Sequence, residues 1–130
     1  MSSNKTTETQ QLQRPEKVIL CAANAYDKKY YFNPSFEKMP DSVKDELHII
    51  SVLFTEEVGG IFTIAFDEEG EVVMETNAAA EDALYDEVSS GLLIGKIRST
   101  RQELFQSLQL FYRVFILKED PAELLSEEDE

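Results

Sequence analysis

The sequence predicts an α+β fold in the order ββαββα. Two observations carry this. Two pairs of short apolar runs, each closed by turn residues, read as antiparallel hairpins, and each pair is followed by a segment of helical period. The hairpins are expected to form one sheet, with the two helices packed on one face. The second helical segment is long and is expected to bend near Ser90-Gly91.

Lys17 to Ala23 is a short apolar run with β-branched residues, long enough for a strand and too short for a stable helix. Asn24-Ala25-Tyr26-Asp27 supplies turn chemistry, and residues 28–33 (KKYYFN) read as the aromatic return strand, ended by Asn33-Pro34-Ser35. Cys21 is the only cysteine, with no histidine or basic residue nearby in sequence to activate it, so it reads as a small buried hydrophobe. Met39-Pro40-Asp41-Ser42 announces the first helix, with Asp41 or Ser42 as N-cap. Val43, Leu47, Ile50 and Phe54 draw its apolar stripe, and Gly59-Gly60 stops it after about Val58. His48, the single histidine, falls off that stripe and reads as a surface or boundary residue.

Ile61 to Phe66 is nearly all apolar, as in a central or doubly covered strand. Asp67-Glu68-Glu69-Gly70 turns the chain into residues 71–76. The acids of this turn lie between strands and lack the ligand spacing of a calcium loop, so they read as solvated turn charge. Asn77 is the expected N-cap of the last helix, which is expected to run from about Glu81 to Leu117. Its stripe is Leu93, Ile97, Leu104, Leu108, Phe111 and Phe115. Phe105, Leu110, Tyr112, Val114 and Ile116 widen that stripe until the end is apolar nearly all round, which places it at the centre of the core. Unbroken, the segment would span about 55 Å, against a domain radius of gyration near ~13 Å. It must therefore bend or be covered. Gly91 and Gly95 make a small face open to another backbone, either helix 41–58 or a second subunit.

The 130 residues carry a net charge of −14, which disfavours nucleic-acid phosphate and anionic membrane surfaces as partners. No apolar run approaches the ~20 residues of a membrane span. The lone cysteine fits a reducing compartment, and the chain is expected to be cytoplasmic. Residues 1–16 read as a disordered polar tail, 17–118 as one domain and 119–130 as an acidic flexible tail. Charge is segregated: residues 56–87 hold eleven acids and no base, whereas Lys96, Arg98, Arg101 and Arg113 follow on the last helix. Dipole complementarity with internal ion pairs is one account of this. The other is the basic face of one chain meeting the acidic surface of another.

The stretches VILCAANAYDKKYYFN at 18–33, DELHIISVLFTEEVGGIFTI at 45–64, LYDEVSSGLLIGKI at 84–97 and RQELFQSLQLFYRVF at 101–115 resemble a family of short acidic cytoplasmic proteins from clostridial Firmicutes, a domain of unknown function. The resemblance implies a bacterial cytoplasmic origin and brings no activity, cofactor or catalytic residue.

No residue constellation commits to a chemistry, so three function classes stand. The leading one is a small non-enzymatic protein-interaction module (adaptor, regulatory or chaperone-like), binding a protein partner or a second copy of itself as a homodimer. Its candidate surface is Tyr85, Arg98, Arg101, Phe105 and Tyr112. The second is a ligand binder or enzyme with a pocket between sheet and last helix, lined by Tyr30, Tyr31 and Tyr85. The third is an acidic mimic of nucleic acid. No catalytic residue, cofactor or metal site is assigned.

Overall fold

The structure, a computed structural model, describes residues 17–118. The tails expected at 1–16 and 119–130 lie outside the described residues. Strands β1 (Val18–Asn24) and β2 (Lys29–Phe32) are followed by a 3₁₀ turn at Pro34–Phe36 and helix α1 (Asp41–Val58). Then come β3 (Ile61–Phe66), β4 (Val72–Asn77), α2 (Glu87–Thr100) and α3 (Gln102–Phe111), which runs into a π-helical turn at Tyr112–Ile116. The strands form one antiparallel sheet in the order β2-β1-β3-β4. Mixed α+β architecture, single sheet and both hairpins are thus as the sequence predicts, with three helices in place of two.

The register sorts the sheet residues into two sets. Ala23 pairs with Tyr30 and Phe62, and Phe62 with Thr76; Cys21 pairs with Phe32 and Ile64, and Ile64 with Met74. Together with Phe66 and Val72, this set supplies the sheet's share of the core, where it meets Leu47, Ile50 and Phe54 of α1 and Leu104, Phe105 and Leu108 of α3. The alternate set holds Ile19, Ala22, Tyr31, Thr63, Val73 and Glu75, of which Ile19 and Tyr31 are exposed. A bulge between Ile19 and Cys21 adds one residue to β1, so that Leu20 and Cys21 are both buried.

Helix α1 starts at Asp41 itself. The Pro40 carbonyl accepts from the amides of Val43 and Lys44, and no side chain caps it, so neither Asp41 nor Ser42 is the N-cap. Gly59 (φ 92) and Gly60 (φ 74) end it in the left-handed region, as expected of a glycine pair. Gly60 has no substitute: a Cβ there would lie 2.5 Å from the Asn77 carbonyl oxygen and 2.8 Å from Tyr85 Cε1.

The last third of the chain departs most from expectation. The helix begins at Glu87 rather than near Glu81, and its N-cap is Asp86 rather than Asn77. The interruption falls at Arg101 (φ −121), which separates α2 from α3, whereas Ser90 and Gly91 lie inside α2. Nor is the C-terminal end covered on all sides. Tyr112 is buried and stacks on Phe66 at 4.4 Å, while Leu110, Phe115 and Leu117 are exposed. The centre of the core is β3 and the inner face of α1, where Phe54 and Phe62 stack at 4.3 Å. Phe36 and Met39, read in the sequence only as connection, are buried there too, Phe36 within an aromatic cluster with Phe66, Phe111 and Tyr112.

Candidate interaction surface

The approach to α2 is held by a set of polar contacts. The Tyr26 hydroxyl donates to Asp82 at 2.6 Å and accepts from the Ala79 amide at 2.9 Å, tying the β1–β2 turn to the segment after β4. The Asp82 carboxylate beside it raises the Tyr26 phenol above its ordinary pKa. Asp86 accepts from the Ser89 amide at 3.0 Å and from the Ser89 hydroxyl at 2.7 Å. Those two bonds lower its pKa, as expected for a carboxylate at a helix N-terminus. Tyr85 donates to the hydroxyl of buried Ser90 at 3.1 Å, and Ser90 reaches Thr76 of β4 at 3.4 Å. The rotation of α2 about its axis is therefore fixed.

Fixed in this way, α2 buries Ser90 and Ile97, half-buries Leu93 and Ile94, and turns its other side to solvent. The outward side is mixed, with exposed Glu87, Lys96, Arg98 and Ser99 beside two large apolar residues. Val88 and Leu92, four apart on α2, are 73% and 71% exposed, and Leu84, in the turn before the helix, is 92% exposed, the highest values among the large exposed hydrophobic residues. Gly91 and Gly95 lie beside them, and nothing comes within 4 Å of where their Cβ atoms would be. Ile49 and Leu53, four apart on α1, are each exposed by 55%.

The residues singled out from the sequence are scattered across this architecture. Phe105 and Tyr112 are core residues, 6% and 5% exposed, and so belong to no surface of the monomer; their aromatic rings are consumed by packing on the sheet. Tyr85 is half-buried against Gly60. Arg101 joins the α2–α3 junction to α1 through an ion pair with Glu46 at 2.8 Å. Arg98 is exposed, and neither Arg98 nor Lys96 forms an ion pair with a described residue. The ion pairs expected between the basic helix and the acidic β3–β4 hairpin are thus not formed by these two. Sequence reasoning passed over Leu84, Val88 and Leu92 because the stripe of the last helix is drawn through Leu93 and Ile97. Their spacing of four was the available signal.

Two further groupings lie on and beneath the first hairpin. A cleft of about 610 Å³ opens between the β1–β2 hairpin end and α1, with Lys28, Lys29, Tyr30 and His48 in its lining. Tyr30 and His48 stack there at 4.2 Å. Tyr85 lines a different cleft and Tyr31 lies exposed in the alternate register set, so the three tyrosines expected to share a pocket do not. Beneath Tyr30, buried Cys21 lies 3.8 Å from Ser51. Burial pushes its thiol above its ordinary pKa, and Tyr30 is raised likewise, by burial and then by Cys21. A thiol held protonated and sealed is no nucleophile. Among the described residues, no three of His, Cys, Asp and Glu are placed to hold a metal ion, and no helix is long and apolar enough to cross a membrane.

Fold and surface together define a small α+β protein that exposes Val88 and Leu92 on the outward side of α2. The chain belongs to a family of unknown function (DUF6145), whose model matches residues 17–120. No curated protein and no solved structure matches it.

Proposed function

We propose that the chain is a non-enzymatic protein-interaction module of a bacterial cytoplasm, acting as an adaptor, regulatory or chaperone-like component. The supporting observation is Val88 and Leu92, four apart on the outward side of α2, with Leu84 exposed in the turn before the helix. Single exposed aliphatic residues are ordinary on a soluble protein, whereas an aligned pair on a rigid helix is the form of a docking site. The reading takes the helices to cover one face of the sheet, so that α2 stands on the outside of the helical layer.

The test is affinity purification of the tagged chain from its native host at low and high salt, beside a Leu92→Glu variant. A partner retained in high salt and lost from the variant supports the reading. Partners that bind both proteins alike, or none at all with a strictly monomeric chain, overturn it. A second reading, small-ligand binding, is favoured by the size of the cleft beside Tyr30 and His48, which falls in the range of about 300–1,000 Å³ usual for ligand sites. Ligand-induced thermal shifts abolished by His48→Ala would support it.

A further inference from the structure

We infer that the occupant of the outward α2 face is a second copy of this chain, with the two α2 helices crossing antiparallel about a two-fold axis near Leu92. The inference rests on the interaction reading and adds the identity and geometry of the partner.

Three observations converge on it. The first is shape. Val88, Leu92, Gly95 and Ser99 follow one another at steps of four, three and four, a stripe opposite the buried one. Helix α2 thus exposes two aliphatic and two small residues in one stripe, opposite the side that the monomer covers. Because no protein atom comes within 4 Å of the Cβ positions at Gly91 or Gly95, α1 is not the backbone that approaches them. The space is open to a helix from outside.

The second is charge. The helix carries Asp86 and Glu87 at its start and Lys96 and Arg98 near its end. Glu87, Lys96 and Arg98 are exposed, and none of the three has an ion-pair partner among the described residues. Two copies laid parallel would set acid beside acid and base beside base. Laid antiparallel, each acidic end meets a basic end, twice over, as a two-fold axis requires.

The third is register, which the first two do not fix. Glu87 and Arg98 are eleven residues apart, so at about 100° per residue they fall within roughly 20° of each other on the same flank of the stripe. In an antiparallel pair related by a two-fold axis, residues on the same flank face one another. Leu92 lies almost midway between the two positions. A crossing centred on Leu92 therefore sets Glu87 of one copy against Arg98 of the other, while Leu92 packs on its own symmetry mate and Val88 packs near Gly95. A partner unrelated to this chain would not require its acid, axis and base to be equally spaced.

The experiment is analytical ultracentrifugation of the full chain over a wide concentration range, for the wild type, Leu92→Glu, Glu87→Arg, Arg98→Glu and the double variant Glu87→Arg/Arg98→Glu, with circular dichroism to confirm folding. The expected result is a concentration-dependent dimer. Leu92→Glu should make it monomeric, either single charge reversal should weaken it more than about tenfold, and the double reversal should restore it. A wild type that stays monomeric overturns the proposal. So does a dimer indifferent to Leu92→Glu, or one that the double reversal fails to rescue. Should the wild type be monomeric while Leu92→Glu still abolishes capture of a different protein, self-pairing falls and the interaction reading stands.

Discussion

Two groups of the first hairpin, Cys21 buried in β1 and Tyr30 half-buried on the edge strand β2, set the behaviour of this protein in alkali. Cys21 and Tyr30 are held neutral, and burial raises the pKa of each. For groups shifted upward, the stabilisation is whole below the unfolded-state values, about 8.5 for a thiol and about 10 for a phenol. It is lost as pH climbs toward the folded-state values. Urea melts should therefore give a stability that does not fall between pH 7 and 8 on account of these groups and declines above pH ~9. A Cys21→Ala variant should lose less of its stability over that range. The native thiol should resist iodoacetamide at pH 8 and react once denatured. Fast alkylation of the folded chain would show that the site opens. Gly60 provides a second residue-scale prediction. Its left-handed backbone and the atoms at 2.5 and 2.8 Å leave no room for a methyl, so Gly60→Ala should cost more than about 2 kcal/mol in a chemical melt. The sequence exposed this glycine as a helix stop. It did not expose the crowding by Tyr85, which comes from a segment far along the chain.

Elements were legible where their signals were local. The β3–β4 hairpin followed from an apolar run, acidic turn residues and Gly70, whose φ is 84. Helix α1 followed from its stripe and its glycine stop. What was not legible depended on contacts across the fold. The break at Arg101 has no glycine or proline to announce it, and glycines at 91 and 95 drew attention to a stretch that stays helical. The late start at Glu87 reflects competition between two N-caps. Asp86 bonds Ser89 through both the amide and the hydroxyl, while residues 78–86 are drawn aside by Tyr26 and Tyr85. Removing that cap should act locally. Asp86→Ala is expected to lower the melting temperature and speed amide hydrogen exchange in the first turn of α2, with exchange in β1 and β3 tracking only the global loss. Equal acceleration everywhere would mean that the cap does not define the element. Of the surface residues picked from the sequence, Arg98 alone is both exposed and without an ion-pair partner among the described residues. Burial of Phe105 and Tyr112 was hidden because aromatic residues look the same in a core as in an interface.

On the scale of the whole molecule, the sheet order explains why so acidic a chain needs no special device to hold itself together. Strands β1 and β3 are interior and are lined with uncharged side chains on the core side, and charge is confined to loops, helix exteriors and the alternate register set. Salt should accordingly shift the proposed α2–α2 pairing more than it shifts folding. The central pairing also has a consequence in time. Strand β3 joins β1, not the strand before it, and even its nearest rung links Asn24 to Ile61, with all of α1 between. Closing that span must precede any reward from the central ladder, whereas β1–β2 and β3–β4 each close over a short turn. Stopped-flow refolding is thus expected to be limited by the β1–β3 closure. Ile64→Val, costing about 0.5–1.5 kcal/mol, should show most of its effect in the refolding arm, and Leu108→Ala on α3 most of its effect in the unfolding arm. The reverse pattern would mean that the C-terminal helices assemble first and the sheet closes onto them.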